Sequence, residues 1–189
     1  GALVKKLQLD VIPYYVRTDR GLFYDNYETD SDEILSYMNR CDTVPASEAP
    51  TLLDFENFFA ANLKKAHRII HITADSGLSM EYERACEAAR NFENVTVVNS
   101  GALSSATGVL VLSAYLMSLQ VQNADYIVGI LDRIKGDIHA SFMVAQTETM
   151  MKRGMIKEWV HRLLHTLYLR PCVAIKNGRI KLDRFFIGN

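Results

Sequence analysis

Cysteine is scarce in this chain. Cys41, Cys86 and Cys172 stand far apart in 189 residues and never form a Cys-x-x-Cys pair. That excludes a disulfide framework and a cysteine-built zinc or redox site, and an odd, unclustered set fits reduced thiols in a cytosolic protein. An excess of either charge is also missing. Lys and Arg number 21 against 22 Asp and Glu, for a formal net charge of -1, so composition gives no electrostatic case for a nucleic-acid partner. Long apolar runs are absent: the most apolar segment, Val109 to Met117, is far too short to span a bilayer. Lys5 and Lys6 interrupt any N-terminal signal-like run. No G-x-G-x-x-G, G-x-x-x-x-G-K-[ST] or G-x-S-x-G occurs, which leaves no fingerprint for a dinucleotide, a nucleotide phosphate or a hydrolase elbow. These absences lead to the expectation of a cytoplasmic protein with no membrane span, no nucleic-acid partner and no cofactor.

What is present is core material and a change of period. Hydrophobic residues make up 49% of the chain, enough for one domain or for two small ones sharing a cleft. Arg68-Ile69-Ile70-His71-Ile72-Thr73 is β-branched, short and mostly apolar, and reads as a strand. From Ser79 onward Tyr82, Ala85, Cys86 and Ala89 recur on one helical face. Small polar residues separate the two, and Ser79 is placed as the helix N-cap with Glu81, Glu83 and Glu87 in the early turns. Such a strand, polar loop and helix N-terminus can bind an anionic group, or simply start a well-capped helix. A second unit repeats the pattern: strand Val95 to Val98, loop Asn99 to Ser105, then a helix to about Leu119.

Around these units the spacing predicts a strand over Leu9 to Arg17, with Pro13 marking an edge or bulge, and a return strand at Leu22 to Tyr24. A helix capped from Asp30 runs to about Asn39, and a proline-bearing loop follows from Cys41 to Thr51. Thr51 caps a helix striped with Leu52, Phe55, Phe58, Phe59 and Leu63. Beyond Asn123 come a helix (Asp125 to Ile134), a strand (His139 to Val144), a methionine-rich helical region (Glu148 to Leu167) and a hairpin turning at Asn177-Gly178. The fold expected is α/β: a parallel or mixed sheet with flanking helices over residues 1–122, plus a smaller C-terminal α/β subdomain over residues 123–189. Ligands of such sheets bind at the C-terminal ends of strands, where both polar loops fall.

Chemistry-bearing clusters are few. His161 and His165, with Glu158, lie at helical spacing, but in the amphipathic stretch EWVHRLLHTLY they read as surface positions, and no metal is expected. A hydrolase using Ser79 or Ser47 with His71 lacks a base-orienting acid and an oxyanion motif. No catalytic residue is assigned, and the chain is read as a binding protein rather than an enzyme. What remains is a set of loop hydroxyls, Ser47, Thr73, Ser76, Ser79, Ser100 and Ser104, able to donate to a carboxylate without neutralising it. Thr51 and Ser104 also suit a plain capping role.

These loops resemble those of the DegV family, bacterial fatty-acid-binding proteins. Pro45-Ala46-Ser47-Glu48-Ala49-Pro50-Thr51 falls where the family carries P-x-T-S-Q-P-S. His71-Ile72-Thr73-Ala74 and Leu78-Ser79-Met80-Glu81-Tyr82 follow its I-S-S-x-L-S-G-T-Y pattern, and Asn99-Ser100 with Ser104 its D-S-x-x-x-S loop. Tyr24 to Glu28, Lys152 to Ile156 and Leu169 to Ile180 match further family segments loosely. The resemblance covers nearly the whole chain. It implies a long-chain fatty acid or similar lipid in a tunnel between two subdomains, its carboxylate held by Ser47 and Ser79. It also implies hand-over of the bound acid to a partner fatty-acid kinase. Departures accompany it: the family's first strand and later C-terminal region have no counterpart here, and Glu48, Ala49, Ala74 and Met80 replace its hydroxyl, glutamine, serine and glycine. A carboxylate at Glu48 would repel a bound carboxylate unless it points away. The alternative is a ligand-free sensory or interaction domain of a larger protein that keeps the fold.

Overall fold

A computed structural model describes residues 2–25, 31–40, 44–144, 147–152, 154–176 and 178–187. Cys41, the Asn26 to Glu28 part of the loose family match, the helix start at Asp30, Arg153 and the turn residue Asn177 lie outside the described residues. The chain opens with a short helix, α1 (Ala2–Lys6), then the strands β1 (Tyr15–Thr18) and β2 (Gly21–Tyr24), helix α2 (Ser31–Arg40) and strand β3 (Ala46–Glu48). The three strands form an antiparallel sheet in the order β2-β1-β3, with Val16 opposite Phe23 and Ser47. Two expectations are corrected here. The strand starts at Tyr15 rather than Leu9, just past Pro13, which has no N–H to give to a ladder. And the proline-bearing loop contains a strand, because Ala46 to Glu48 supply the partner that β1 needs on its second edge.

Helix α3 (Leu52–Asn62), strand β4 (Ile69–Thr73), helix α4 (Glu81–Ala89), strand β5 (Val95–Asn99) and the helices α5 (Ser105–Ser118) and α6 (Ala124–Ile134) build the central layers. Thr51 and Asp54 start α3 with a reciprocal capping box, a device that contributes about 1 kcal/mol. β4 and β5 pair in parallel, from Ile69 opposite Val95 to Thr73 opposite Asn99. Side chains alternate across the pair. Ile69, Val95 and Val97 pack with Phe55, Phe59, Ala85 and Ala88 of α3 and α4, while Ile70, Ile72 and Val98 pack with Leu110, Ile127 and Leu131 of α5 and α6. Helices thus cover both faces of the pair, the arrangement that continuous apolar strands require.

The last part is antiparallel. β6 (Ser141–Met143), α7 (Glu148–Lys152), α8 (Glu158–Thr166), β7 (Leu169–Lys176) and β8 (Arg179–Ile187) follow in order, and the sheet runs β6-β7-β8 with Pro171 to Ala174 of central β7 buried. The single helical region expected from Glu148 to Leu167 is two helices, since the chain turns at Gly154 with φ +69° between them. The molecule is α/β, with one parallel and two antiparallel sheets among the described residues.

Candidate functional site at the strand ends

The loops after β4 and β5 meet where the two parallel strands end. Ser100 N–H donates to the Thr73 carbonyl at 3.2 Å and Asp75 N–H to the Ala102 carbonyl at 2.8 Å. The Asn99 amide donates to Ser76 Oγ at 2.8 Å and accepts from Gly101 N–H at 3.0 Å. Asp75 Oδ1 takes Gly77 N–H at 2.7 Å. Gly77 lies so close to Gly178, at the β7–β8 turn, that a Cβ on Gly77 would overlap the Gly178 backbone. The loop after β4 is therefore pressed against the turn of the C-terminal hairpin, joining two stretches a hundred residues apart in sequence.

The six hydroxyls expected at a ligand separate by their partners. Thr73 and Ser100 are fully buried. Thr73 Oγ1 donates to the Ala74 carbonyl at 2.9 Å, and Ser100 Oγ to the Ala102 carbonyl at 3.2 Å while accepting Ala102 N–H at 3.1 Å. Both hold the loops rather than face open space. Ser76 is half-buried against Asn99. Ser104 is exposed with φ +57° and makes no side-chain cap to α5, so a capping role for it is corrected. Ser47 is exposed on β3, and its hydroxyl has no partner among the described residues. Ser79 is not the N-cap of α4: Met80 holds that position, and Ser79 Oγ accepts Glu81 N–H at 3.2 Å from one residue earlier.

Ser79 belongs to a cluster that the sequence pattern did not reveal. Tyr14 Oη lies 2.8 Å from Ser79 Oγ and donates to Glu81 Oε2 at 2.8 Å, and Ala74 N–H reaches the same carboxylate oxygen at 2.9 Å. Glu81 is only 7% exposed. Burial raises its carboxyl above the usual range, against the pull of the Ala74 and Tyr14 hydrogen bonds. Burial also raises the Tyr14 phenol, partly opposed by the hydrogen bond to Ser79. With Glu81 ionised, the single Tyr14 proton goes to the carboxylate, so the Ser79 proton points at the Tyr14 oxygen. Ser79 can donate to a ligand only by releasing Tyr14.

A cavity of about 510 Å³ is lined by Glu81 and Thr107 together with Leu7, Ile70, Ile72, Val111 and Leu112. All its lining residues lie between Val4 and Ser118. Along one wall β4 has no neighbouring strand, since β4 pairs only with β5 among the described residues. Ile69 N–H donates to Asn94 and the Thr73 carbonyl accepts from Ser100, so ladder alternation turns the Ile70 and Ile72 backbone groups toward the cavity. His71 sits between the rings of Phe55, Phe58 and Phe59, at 5.4 to 5.9 Å, with a sealed and unpartnered Nε2. Burial pushes its pKa down to about 4. His161 Nδ1 bonds Thr147 Oγ1 at 2.6 Å, and no group of metal-ligating side chains forms among the described residues. No helix among those residues is long and apolar enough to cross a membrane.

The family model described as "Uncharacterised protein, DegV family" matches residues 2–184. A DegV domain-containing protein of Clostridium acetobutylicum is 22% identical over 189 residues, covering 99% of this chain and 68% of that protein. A fatty acid-binding protein of Thermotoga maritima is 25% identical over 186 residues, covering 94% of this chain and 64% of the relative. Among solved structures, a fatty-acid-binding DegV family protein from Thermus thermophilus superposes with a TM-score of 0.84 at 28% identity, covering 99% of this chain and 67% of that one. The chain thus spans about two thirds of the length of the relatives it matches.

Proposed function

Because the chain belongs to the DegV family over residues 2–184, we propose that it binds a long-chain fatty acid or similar lipid, with the head group at the loops after β4 and β5. The observation that carries this reading is the Ser79 hydroxyl, half-buried just before α4 on the loop that follows β4 and is pressed against the C-terminal hairpin. Ser79 and Ser47 hold the head group, with Ser76 and Ser104 at its margin, and Thr73 and Ser100 keep the loops in place. The acyl tail lies between the part formed by residues 1–122 and the part formed by residues 123–189. Phe142, Leu182, Phe185 and Phe186 of the latter offer exposed apolar surface. The cavity along β4 suits a hydrocarbon tail less well. Each Ile70 or Ile72 backbone group left unpaired there costs about 1–3 kcal/mol.

The role is that of a carrier in the cytoplasm, without catalysis. No carboxylate or imidazole bonds directly to the Ser47 or Ser79 hydroxyl among the described residues, and the free His71 nitrogen is sealed among phenylalanines. Presentation of the bound acid to a partner fatty-acid kinase belongs to the same reading. Displacement of a fluorescent fatty acid tests it. Ser79→Ala should weaken binding tenfold to a hundredfold, as loss of a hydrogen bond worth about 1–3 kcal/mol requires. Unchanged affinity would move the head group elsewhere. A second reading, a ligand-free interaction domain, draws on the way Tyr14, Ser79 and Glu81 satisfy one another. It predicts no lipid affinity at all.

A further inference from the structure

The seat at Ser79 is short of cations. Ser79 Oγ and Glu81 Oε2 each lie 2.8 Å from Tyr14 Oη, so the two oxygens are at most 5.6 Å apart. Glu81 makes no ion pair among the described residues. The arginine on its own helix, Arg84, spends Nη1 on the carbonyls of Ala49 and Pro50, at 2.8 and 3.0 Å. The segment before β1 brings the Tyr14 hydroxyl to Glu81. β4 contributes His71, held neutral by burial among phenylalanines, and α5 contributes Thr107 and Tyr115, all lining the same cavity as Glu81. The one cation in that lining among the described residues, Arg68, pairs with Asp125 at 3.4 Å, and Asp10 pairs with Lys65 at 3.0 Å. The loop between β4 and α4 adds a second buried carboxylate, Asp75, also without an ion pair among the described residues. Glu48, beside Ser47 on β3, is engaged by Arg17.

An arriving carboxylate finds only hydroxyl protons, that of Ser79 once Tyr14 is released and that of Ser47, and a like charge at Glu81 within 5.6 Å of Ser79 Oγ. Two carboxylates that close cannot both stay ionised without large cost, so one of them takes up a proton. A hydroxyl head group meets no such conflict: it accepts from Ser79 and donates to Glu81. Resting on the lipid-binding reading above, we propose that the seat at Ser79 takes a lipid head group that is uncharged when bound, a fatty alcohol or a fatty acid carrying its proton, and that Glu81 is the residue that selects it. The raised Glu81 carboxyl agrees with a site that favours neutrality over charge.

The test compares oleic acid with oleyl alcohol, each at submicellar concentration, from pH 5.5 to pH 8. For the unaltered protein, acid affinity should fall about tenfold per pH unit over the range in which one proton is taken up, while alcohol affinity stays level. At pH 8 the alcohol should bind at least tenfold tighter. Glu81→Gln, which keeps an oxygen for Ala74 N–H, should raise oleate affinity at pH 8 and flatten its pH profile, with circular dichroism confirming the fold. Calorimetry in two buffers of different ionisation enthalpy needs no variant, and should find about one proton taken up per oleate bound at pH 8. Oleate affinity that is level across pH, with no proton uptake, would overturn the inference and leave the lipid reading standing. No binding of either lipid at any pH would overturn both.

Discussion

His71 and Gly77 show how single residues set limits on this site. Unfolded, the His71 imidazole titrates near 6.5, and folded it is pushed down to about 4 by burial. Between those values the unfolded chain binds a proton that the native chain refuses, so stability falls as pH drops through that window. The expected loss is about 2 kcal/mol from pH 7 to pH 5, out of about 3 kcal/mol for the whole shift. Glu81 acts in the opposite sense: its raised carboxyl holds a proton more readily in the native state, so acid favours folding there. Urea unfolding of the native chain and of His71→Phe at both pH values isolates the histidine. The variant should lose most of the pH dependence, and equal slopes would contradict the account. Gly77→Ala tests the join between loop and hairpin. The new methyl overlaps the Gly178 backbone, so the expected cost is about 1–3 kcal/mol, read as a lower melting temperature together with weakened lipid binding. The loop hydroxyls were legible because small polar residues interrupted an apolar strand. Tyr14 and Glu81 were not. Tyr14 lies 65 residues from Ser79, and Glu81 resembled any acidic residue in a first helical turn.

At the scale of elements, β4 has one edge without a partner strand among the described residues. Ile70 and Ile72 turn their backbone groups away from β5 toward the cavity, while Ile69 and Thr73 are tied into the ladder. Amide exchange should therefore be faster at Ile70 and Ile72 than at His71 and Thr73, by tenfold or more. Equal protection along the strand would mean that something else pairs with that edge. The central elements could be read from sequence because the period switches sharply from strand to helix on either side of a polar loop. β3 could not, since three residues between prolines carry no period and pair only because β1 lies beside them. The start of β1 was hidden by an apolar run that continues through Pro13, and the break between α7 and α8 by methionines that read as helical on both sides of Gly154.

For the whole molecule, the central claim is that two parts of one chain enclose a lipid. The layers support the geometry: helices cover both faces of the parallel pair, and the strand-end loops are left to meet the C-terminal hairpin. Native mass spectrometry of the protein purified from bacteria, compared with the same sample denatured, tests the claim most directly. The account predicts a native mass heavier than the denatured one by a single long-chain fatty acid, with the added mass reduced or lost in Ser79→Ala. A native mass equal to the bare chain, still equal after incubation with oleic acid and oleyl alcohol, would contradict it.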